Sequence, residues 1–224
     1  MMMVNHILEE MPAAVLSRWH DELEEVSLKR GDVLYQAGSK MHYGYFPVTA
    51  IVSILSDLEN GSSAEVAVIG NEGVIGASIF MGDSLTSHSA VVLSAGQGYR
   101  LKASLMREEF NQSNAVMQVL LCYMQTLIAQ MCQTAACNRH HTLNQQLCRL
   151  LLLINDRMEG NDVLMTQELL ARTLGVRREG VTEAALLLQK SGLIRYSRGR
   201  IEILDRAGIE DRSCECYVSD KKRA

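Results

Sequence analysis

Residues Phe110 to Asn138 contain no charged side chain, in a chain where 21% of residues are Asp, Glu, Lys or Arg. Met117, Met124 and Met131 fall at one heptad position; Leu120, Leu127 and Thr134 come three residues later; Leu121, Ile128 and Ala135 widen the stripe. Spacing of three and four puts these side chains on one face of a helix. A seam repeated over about three heptads pairs with another helix, often a copy of itself. The predicted dimer seam is Met117, Leu120, Met124, Leu127 and Met131, with Leu120 and Leu127 nearest the two-fold axis. A membrane span and a monomer's core helix are the competing readings. Gln118, Gln125, Gln130 and Gln133 argue against the span, because lipid offers their amides no partners; no membrane association is expected.

This helix separates two halves of opposite charge. Residues 1–138 hold 7 Lys and Arg against 14 Asp and Glu, a net of −7, whereas residues 139–224 hold 15 against 12, a net of +3. Only the back half is suited to meet a polyanion. Met1 to Met11 lacks the basic start and apolar run of a secretion signal, so a cytoplasmic location is expected. In that compartment the six cysteines read as free thiols rather than as a disulfide framework.

Ahead of the central helix the chain reads as one helix over 5–25 and then as short strands. Val33-Leu34-Tyr35, Tyr43 to Leu55, Glu65 to Ile69, Ser89 to Leu93 and Tyr99 to Leu101 are β-rich, and Glu59-Asn60-Gly61 is a hairpin turn. Strands at such spacing predict a small barrel or roll. Behind the central helix, Thr142 to Asp156 is a second apolar helix, closed by Glu159-Gly160-Asn161.

Thr166 then reads as an N-cap for a short helix ending at Leu174, and Gly175-Val176 as a tight turn. A second helix runs from about Arg178 to Lys190 and stops at Ser191-Gly192. Its inward face is Val181, Ala184, Ala185 and Leu188, while Arg178, Glu179, Thr182 and Glu183 point elsewhere near its N-terminus. That is where a recognition helix meets base edges in a helix-turn-helix. Leu193 to Tyr196 and Arg200 to Ile203 form a two-stranded wing around Ser197-Arg198-Gly199, whose basic tip suits phosphate contact. The predicted DNA-binding set is Thr166, Arg177, Arg178, Glu179, Thr182, Ser197, Arg198 and Arg200.

On these residues, and above all on Leu174 to Thr182 and Gly192-Leu193-Ile194, the chain resembles the CRP/FNR superfamily of bacterial transcription regulators over nearly its full length. The resemblance implies an α+β chain with an N-terminal β-roll (jelly-roll-like) sensor over 1–107, a dimerisation helix over 108–140 and a winged helix-turn-helix over 141–224. It implies a homodimer on inverted-repeat double-stranded DNA, with RNA polymerase as a partner. It also implies that Arg178 reads a guanine edge and Glu179 a cytosine amino group, which suits their chemistry. Two departures stand out: Glu183 occupies a place where many relatives carry a second base-reading Arg, and Gly180 replaces a common Thr or Ser, permitting close backbone approach.

In the cyclic AMP-binding members a Gly-Glu segment takes the ribose and an Arg-Ser or Arg-Thr pair the phosphate. Here Ala77 stands in the Glu place and His88 in the Arg place. Without a guanidinium the cyclic phosphate loses its bidentate partner, so tight cyclic AMP binding is not expected. The effector pocket is expected at Glu72, Gly73, Gly76, His88 and Ser89. No cofactor is predicted. Cysteines ahead of Cys122, which an N-terminal iron–sulfur centre would need, are absent. Cys137, His140 and His141 are weak metal candidates without an evident fourth ligand, and Cys214-Glu215-Cys216 is expected near a mobile terminus. A cupin-like metalloenzyme would carry a His-x-His pair in the barrel, and His6, His20, His42 and His88 are never paired that way. The enzyme reading is therefore set aside, as is a ligand-binding adaptor that never touches DNA, which the wing and Arg178-Glu179 oppose.

Overall fold

The computed structural model describes residues 5–81, 85–158 and 160–221. The expected turn residue Glu159 and the first four residues of the N-terminal segment lie outside the described residues. The chain forms two compact units, one made of Met1–Ile54 and Ile69–Ile128, the other of Leu55–Val68 and Ala129–Ala224. These bounds differ from the three segments expected, because the central helix is shared and Leu55–Val68 belongs to the second unit.

The first unit opens with two short helices, α1 (His6–Glu9) and α2 (Ala13–Trp19), where one helix over 5–25 is expected. Pro12 separates them: it brings no amide hydrogen and holds the residue before it away from helical geometry. Asn5 caps α1, and its amide donates to the carbonyls of Pro47 and Gly73, both at 2.8 Å. The strands are β1 (Glu24–Leu28), β2 (Val33–Tyr35), β3 (Tyr43–Pro47), β4 (Ile51–Asp57), β5 (Ser63–Ile69), β6 (Ser89–Ser94) and β7 (Gly96–Lys102). They make an antiparallel roll of two sheets, ordered β1-β7-β3 and β2-β6-β4-β5. Strand β6 lies between neighbours on both edges and is buried at every position, so it reads as a continuous apolar run rather than an alternation. Trp19 packs its ring 6.4 Å from Phe46, both buried.

Helix α3 (Ala103–Gln112) follows the roll, and α4 (Asn114–His140) follows α3. The expected single helix from Phe110 is thus broken at Ser113, which is extended and whose hydroxyl accepts the Val116 amide. Glu109 of α3 forms a two-pronged pair with Arg18 of α2, at 2.6 and 2.8 Å. The Arg18 hydrogen bond holds the Glu109 carboxyl below its usual range.

Along α4 the buried side chains are Val116, Leu120, Tyr123, Leu127, Thr134 and Cys137. Two residues of the expected seam, Leu120 (1% exposed) and Leu127 (8%), are buried within the chain itself. The apolar face left open is one position further on, at Leu121 and Ile128, flanked by the half-buried Met117, Met124 and Met131. Tyr123 fixes the rotation of α4 by donating to the Val74 carbonyl at 2.9 Å. Gly73 makes room for it, since a Cβ there would lie 2.7 Å from the Tyr123 ring. By length and composition alone α4 is apolar enough to cross a membrane. Its buried stripe, with Tyr123 and Gln130 donating to the carbonyls of Val74 and Val68, is that of a helix packed on protein.

The second unit is built around α5 (Leu143–Asn155), which starts in a capping box between Thr142 and Gln145. All ten residues from Gln146 to Asn155 are buried. Around it pack β8 (Asp162–Leu164), α6 (Gln167–Leu174), α7 (Arg178–Lys190), α8 (Arg206–Arg212) and α9 (Glu215–Lys221). Strands β9 (Ile194–Ser197) and β10 (Arg200–Ile203) complete a sheet ordered β8-β10-β9, so the wing has three strands, not two. The C-terminal segment is not a loose end. Arg149 of α5 donates to Asp220 of α9 at 2.8 Å and to Thr134 of α4 at 2.9 Å, with both charged side chains under a tenth exposed. Nearby, Arg206 of α8 bonds Asn155, Asp156 and the Tyr217 hydroxyl. Burial, reinforced by Asp156, pushes the Tyr217 phenol up to about 12. Removing one member of a buried pair leaves the other uncompensated. Asp220→Ala is therefore expected to lower the unfolding free energy by about 3–5 kcal/mol, read from urea denaturation; a loss below about 1 kcal/mol would mean that Arg149 has another partner.

Candidate nucleic-acid interface

Helix α6 begins as expected, with the Thr166 hydroxyl accepting the Leu169 amide at 3.1 Å. It ends at Gly175, whose φ of 65° lets the Val176 amide turn back to the Ala171 carbonyl. Helix α7 starts directly after Arg177 and buries Val181, Ala184, Ala185 and Leu188, the inward face expected. Arg177, Arg178, Glu179 and Glu183 are exposed around its first turns. Thr182 is half-buried and donates to Gln167 of α6 at 3.1 Å, tying the two helices together near that end. Gly180 does allow a close approach, but to protein: a Cβ there would sit 3.1 Å from Leu143 of α5.

The wing turns through Arg198 (φ 50°) and Gly199 (φ 79°), two consecutive residues at positive φ between the paired Ser197 and Arg200. This is the arrangement of a two-residue hairpin turn, and it presents the Arg198 side chain at the tip. Tyr196 donates through its hydroxyl to the Met165 carbonyl at 3.2 Å and anchors the wing to the entry of α6. An open groove results, lined by Thr166, Gln167, Glu168, Arg178, Tyr196, Arg198 and Gly199. It brings together three of the expected DNA-binding residues from three elements. Arg200 is placed differently. Asp162 of β8, a strand too short to read in the sequence, holds its guanidinium at 2.9 and 2.5 Å and pulls its own carboxyl below the usual range in doing so. Among the described residues Arg177, Arg178 and Arg198 have no ion-pair partner.

Comparison with protein families gives two matches. The cyclic nucleotide-binding domain matches residues 25–113 and the Crp-like helix-turn-helix domain matches residues 145–212. The chain belongs to the CRP/FNR family. It is a DNA-binding transcription regulator, and its relatives are regulators rather than enzymes. Solved structures share the fold. FixK2 from Bradyrhizobium japonicum superimposes with a TM-score of 0.72 at 16% identity, over 86% of this chain and 98% of that one. A CRP/FNR family transcriptional regulator from Thermus thermophilus gives 0.68 at 21%, over 85% and 98%. The c-di-GMP responsive global regulator CLP from Xanthomonas campestris gives 0.66 at 12%, over 87% and 100%. A comparison with curated protein sequences returns no significant match.

In this CRP/FNR chain the residues of the expected effector pocket have separate partners. Glu72 accepts the Gly70 amide, Gly73 is closed by Tyr123, and a Cβ on Gly76 (φ 111°) would lie 2.9 Å from Ile79. His88 bonds its neighbour Ser87 at 2.9 Å, and Ser89 accepts the Ala37 amide at 3.1 Å. The weak metal candidates also separate. His140 is exposed, while Cys137 and His141 converge with Cys214 and Cys216, the pair expected near a mobile terminus.

Gly175 is constrained twice, by its left-handed backbone and by Ala64, which lies 3.1 Å from where a Cβ would be. Left-handed geometry costs an L-residue about 1–2 kcal/mol. Gly175→Ala is expected to lose at least that much stability in thermal or urea unfolding; an unchanged midpoint would show that the turn relaxes freely.

Proposed function

We propose that this CRP/FNR regulator acts in the cytoplasm as a homodimer on an inverted-repeat operator, with one α7 in the major groove of each half-site. The observation that supports this most is Arg178, without an ion-pair partner among the described residues, beside Glu179 at the exposed start of α7 and on the same groove as Arg198 of the wing tip. In this reading Arg178 donates to a guanine edge and Glu179 accepts from a cytosine amino group. Thr182 supports the α7 start through Gln167, and Arg177, Thr166, Ser197 and Arg198 meet phosphates. Arg200 serves mainly by holding the wing against Asp162, so its phosphate role is secondary. Family resemblance extends the partners to RNA polymerase. Cyclic AMP is not the signal in this reading: Ala77 and His88 stand where the ribose carboxylate and the phosphate guanidinium would be. A signal at the roll would instead shift a two-state arrangement of the α4 helices.

The two arginines separate in experiment. With an operator selected from random DNA, Arg178→Ala is expected to cost about 1–3 kcal/mol and to relax preference at one base pair of each half-site. Arg198→Ala should weaken all sequences alike and lower the salt slope of binding by about 1 per contact. Equal effects of both variants on cognate and random DNA would oppose the assignment of α7 as the reader.

The dimer surface proposed is the open stripe of α4, Leu121 and Ile128 with Met117, Met124 and Met131. Leu121→Asp with Ile128→Asp is expected to give folded monomers by sedimentation and at least tenfold weaker operator binding, about 1.4 kcal/mol. A dimer that survives both changes and still binds DNA would exclude this surface.

A further inference from the structure

Four metal-binding side chains from distant parts of the chain meet in the second unit: Cys137, His141, Cys214 and Cys216. Cys137 lies in the last turn of α4, and His141 follows one turn later, its amide still bonded to the Cys137 carbonyl at 3.0 Å. Cys214 and Cys216 flank Glu215 at the start of α9. One ligand atom from each residue lies within 4.8 Å of all the others, and the three cysteines are 4% exposed or less. Helix α8 and the short link after it bring the last two residues back to the end of α4.

The spacing within the group discriminates between uses. Metal–sulfur bonds of about 2.3 Å and metal–nitrogen bonds of about 2.0–2.1 Å in a tetrahedron separate sulfur from sulfur by roughly 3.8 Å and sulfur from nitrogen by roughly 3.6 Å. The Cys137 and Cys214 sulfurs are 3.5 Å apart, and the Cys216 sulfur is 3.5 Å from Nδ1 of His141. A disulfide would need about 2.05 Å. The outer contacts point the same way. His141 presents Nδ1 to the group while Nε2 lies 3.3 Å from the Glu215 carboxylate, the carboxylate–histidine arrangement that orients metal-bound imidazole. Gln133 donates to the Cys216 sulfur at 3.0 Å. The buried Arg149 guanidinium bonds Thr134, one turn before Cys137 on α4, so a positive charge stands near a site whose filled form would be anionic. Three sulfurs and one imidazole, without an oxygen donor, suit a borderline-soft ion and not magnesium or calcium.

We propose that Cys137, His141, Cys214 and Cys216 form a tetrahedral Cys3His site for a zinc ion that staples α9 to the end of α4. Binding replaces three thiol protons, which leave to solvent, and the neutral imidazole supplies the fourth bond; zinc plus three thiolates carries a net charge of −1. All four positions are filled by protein, as in structural zinc sites, and the ion stabilises the fold rather than catalyses a reaction.

The test uses the full chain, purified under reducing conditions without chelator. Elemental analysis should find about one zinc per chain. Cobalt added to the stripped protein should give the intense visible absorption of a tetrahedral thiolate complex and should be displaced by zinc. Cys137→Ser and Cys214→Ser should each lower metal content severalfold, while Cys122→Ser and Cys132→Ser, at exposed positions, leave it unchanged. In case the buried variants misfold, the unaltered chain is titrated with zinc against a colorimetric chelator, with an upward shift in melting temperature expected. Reduced, folded protein that takes up neither zinc nor cobalt would overturn the proposal. So would iron with acid-labile sulfide in place of zinc, or a Cys137–Cys214 disulfide in a protein that binds no metal when reduced.

Discussion

A guanidinium carried on the buried part of a helix leaves an uncompensated charge in the core unless a carboxylate answers it. Arg149 sets that condition in the second unit, and Asp220, close to the end of the described chain, meets it. Thr134 of α4 takes another of its hydrogens. Through one side chain the central helix, the core helix and the last helix acquire a common fixed point. The surfaces of α6, α7 and the wing depend on it indirectly, because each packs on α5 or on its neighbours. A charge placed there contributes little net stability compared with an apolar residue of equal volume, whereas removing either partner is costly.

The helix-turn-helix was legible because its signals are local. Thr166, Gly175 and Ser191-Gly192 each satisfy a backbone requirement within a few residues of themselves, and the structure uses them as read. The central helix was legible in period but not in phase. Its sequence is apolar on more than one side, so the stripe through Leu120 and the stripe through Leu121 fit the same repeat. Only the packing of Tyr123 against Gly73 and Val74 decides which one faces inward. The roll's β-rich runs were legible, but the helical spacing of Leu16 and Trp19 lies wholly after Pro12 and says nothing of the separate turn before it. Strand β8 offers three residues and no periodicity, and α8 and α9 are held by contacts to α5, which no local pattern announces. The cysteine cluster was illegible for the same reason: its halves are 77 residues apart between Cys137 and Cys214.

Two arginines on the wing show how far side-chain chemistry alone can mislead. Arg198 and Arg200 are neighbours around one glycine, with the same charge and reach. The strand partner decides between them, since Asp162 reaches Arg200 and the turn directs Arg198 outward. Electrostatic availability, not residue type, therefore defines the basic surface. The same distinction applies at α7, where Thr182 is drawn into the joint with α6 and Arg178 is left open.

Leu55–Val68, in the β4–β5 hairpin, belongs to the second unit although it lies early in the sequence. Ser63 accepts from Arg172 of α6 at 2.9 Å, Asp57 lies 3.7 Å from the same guanidinium, and Ala64 closes over Gly175. In genetic terms, the DNA-reading function has two loci in one gene. Changes at codons 57, 63 or 64 therefore act on α6 and on the turn that leads into α7, although they lie more than a hundred codons upstream.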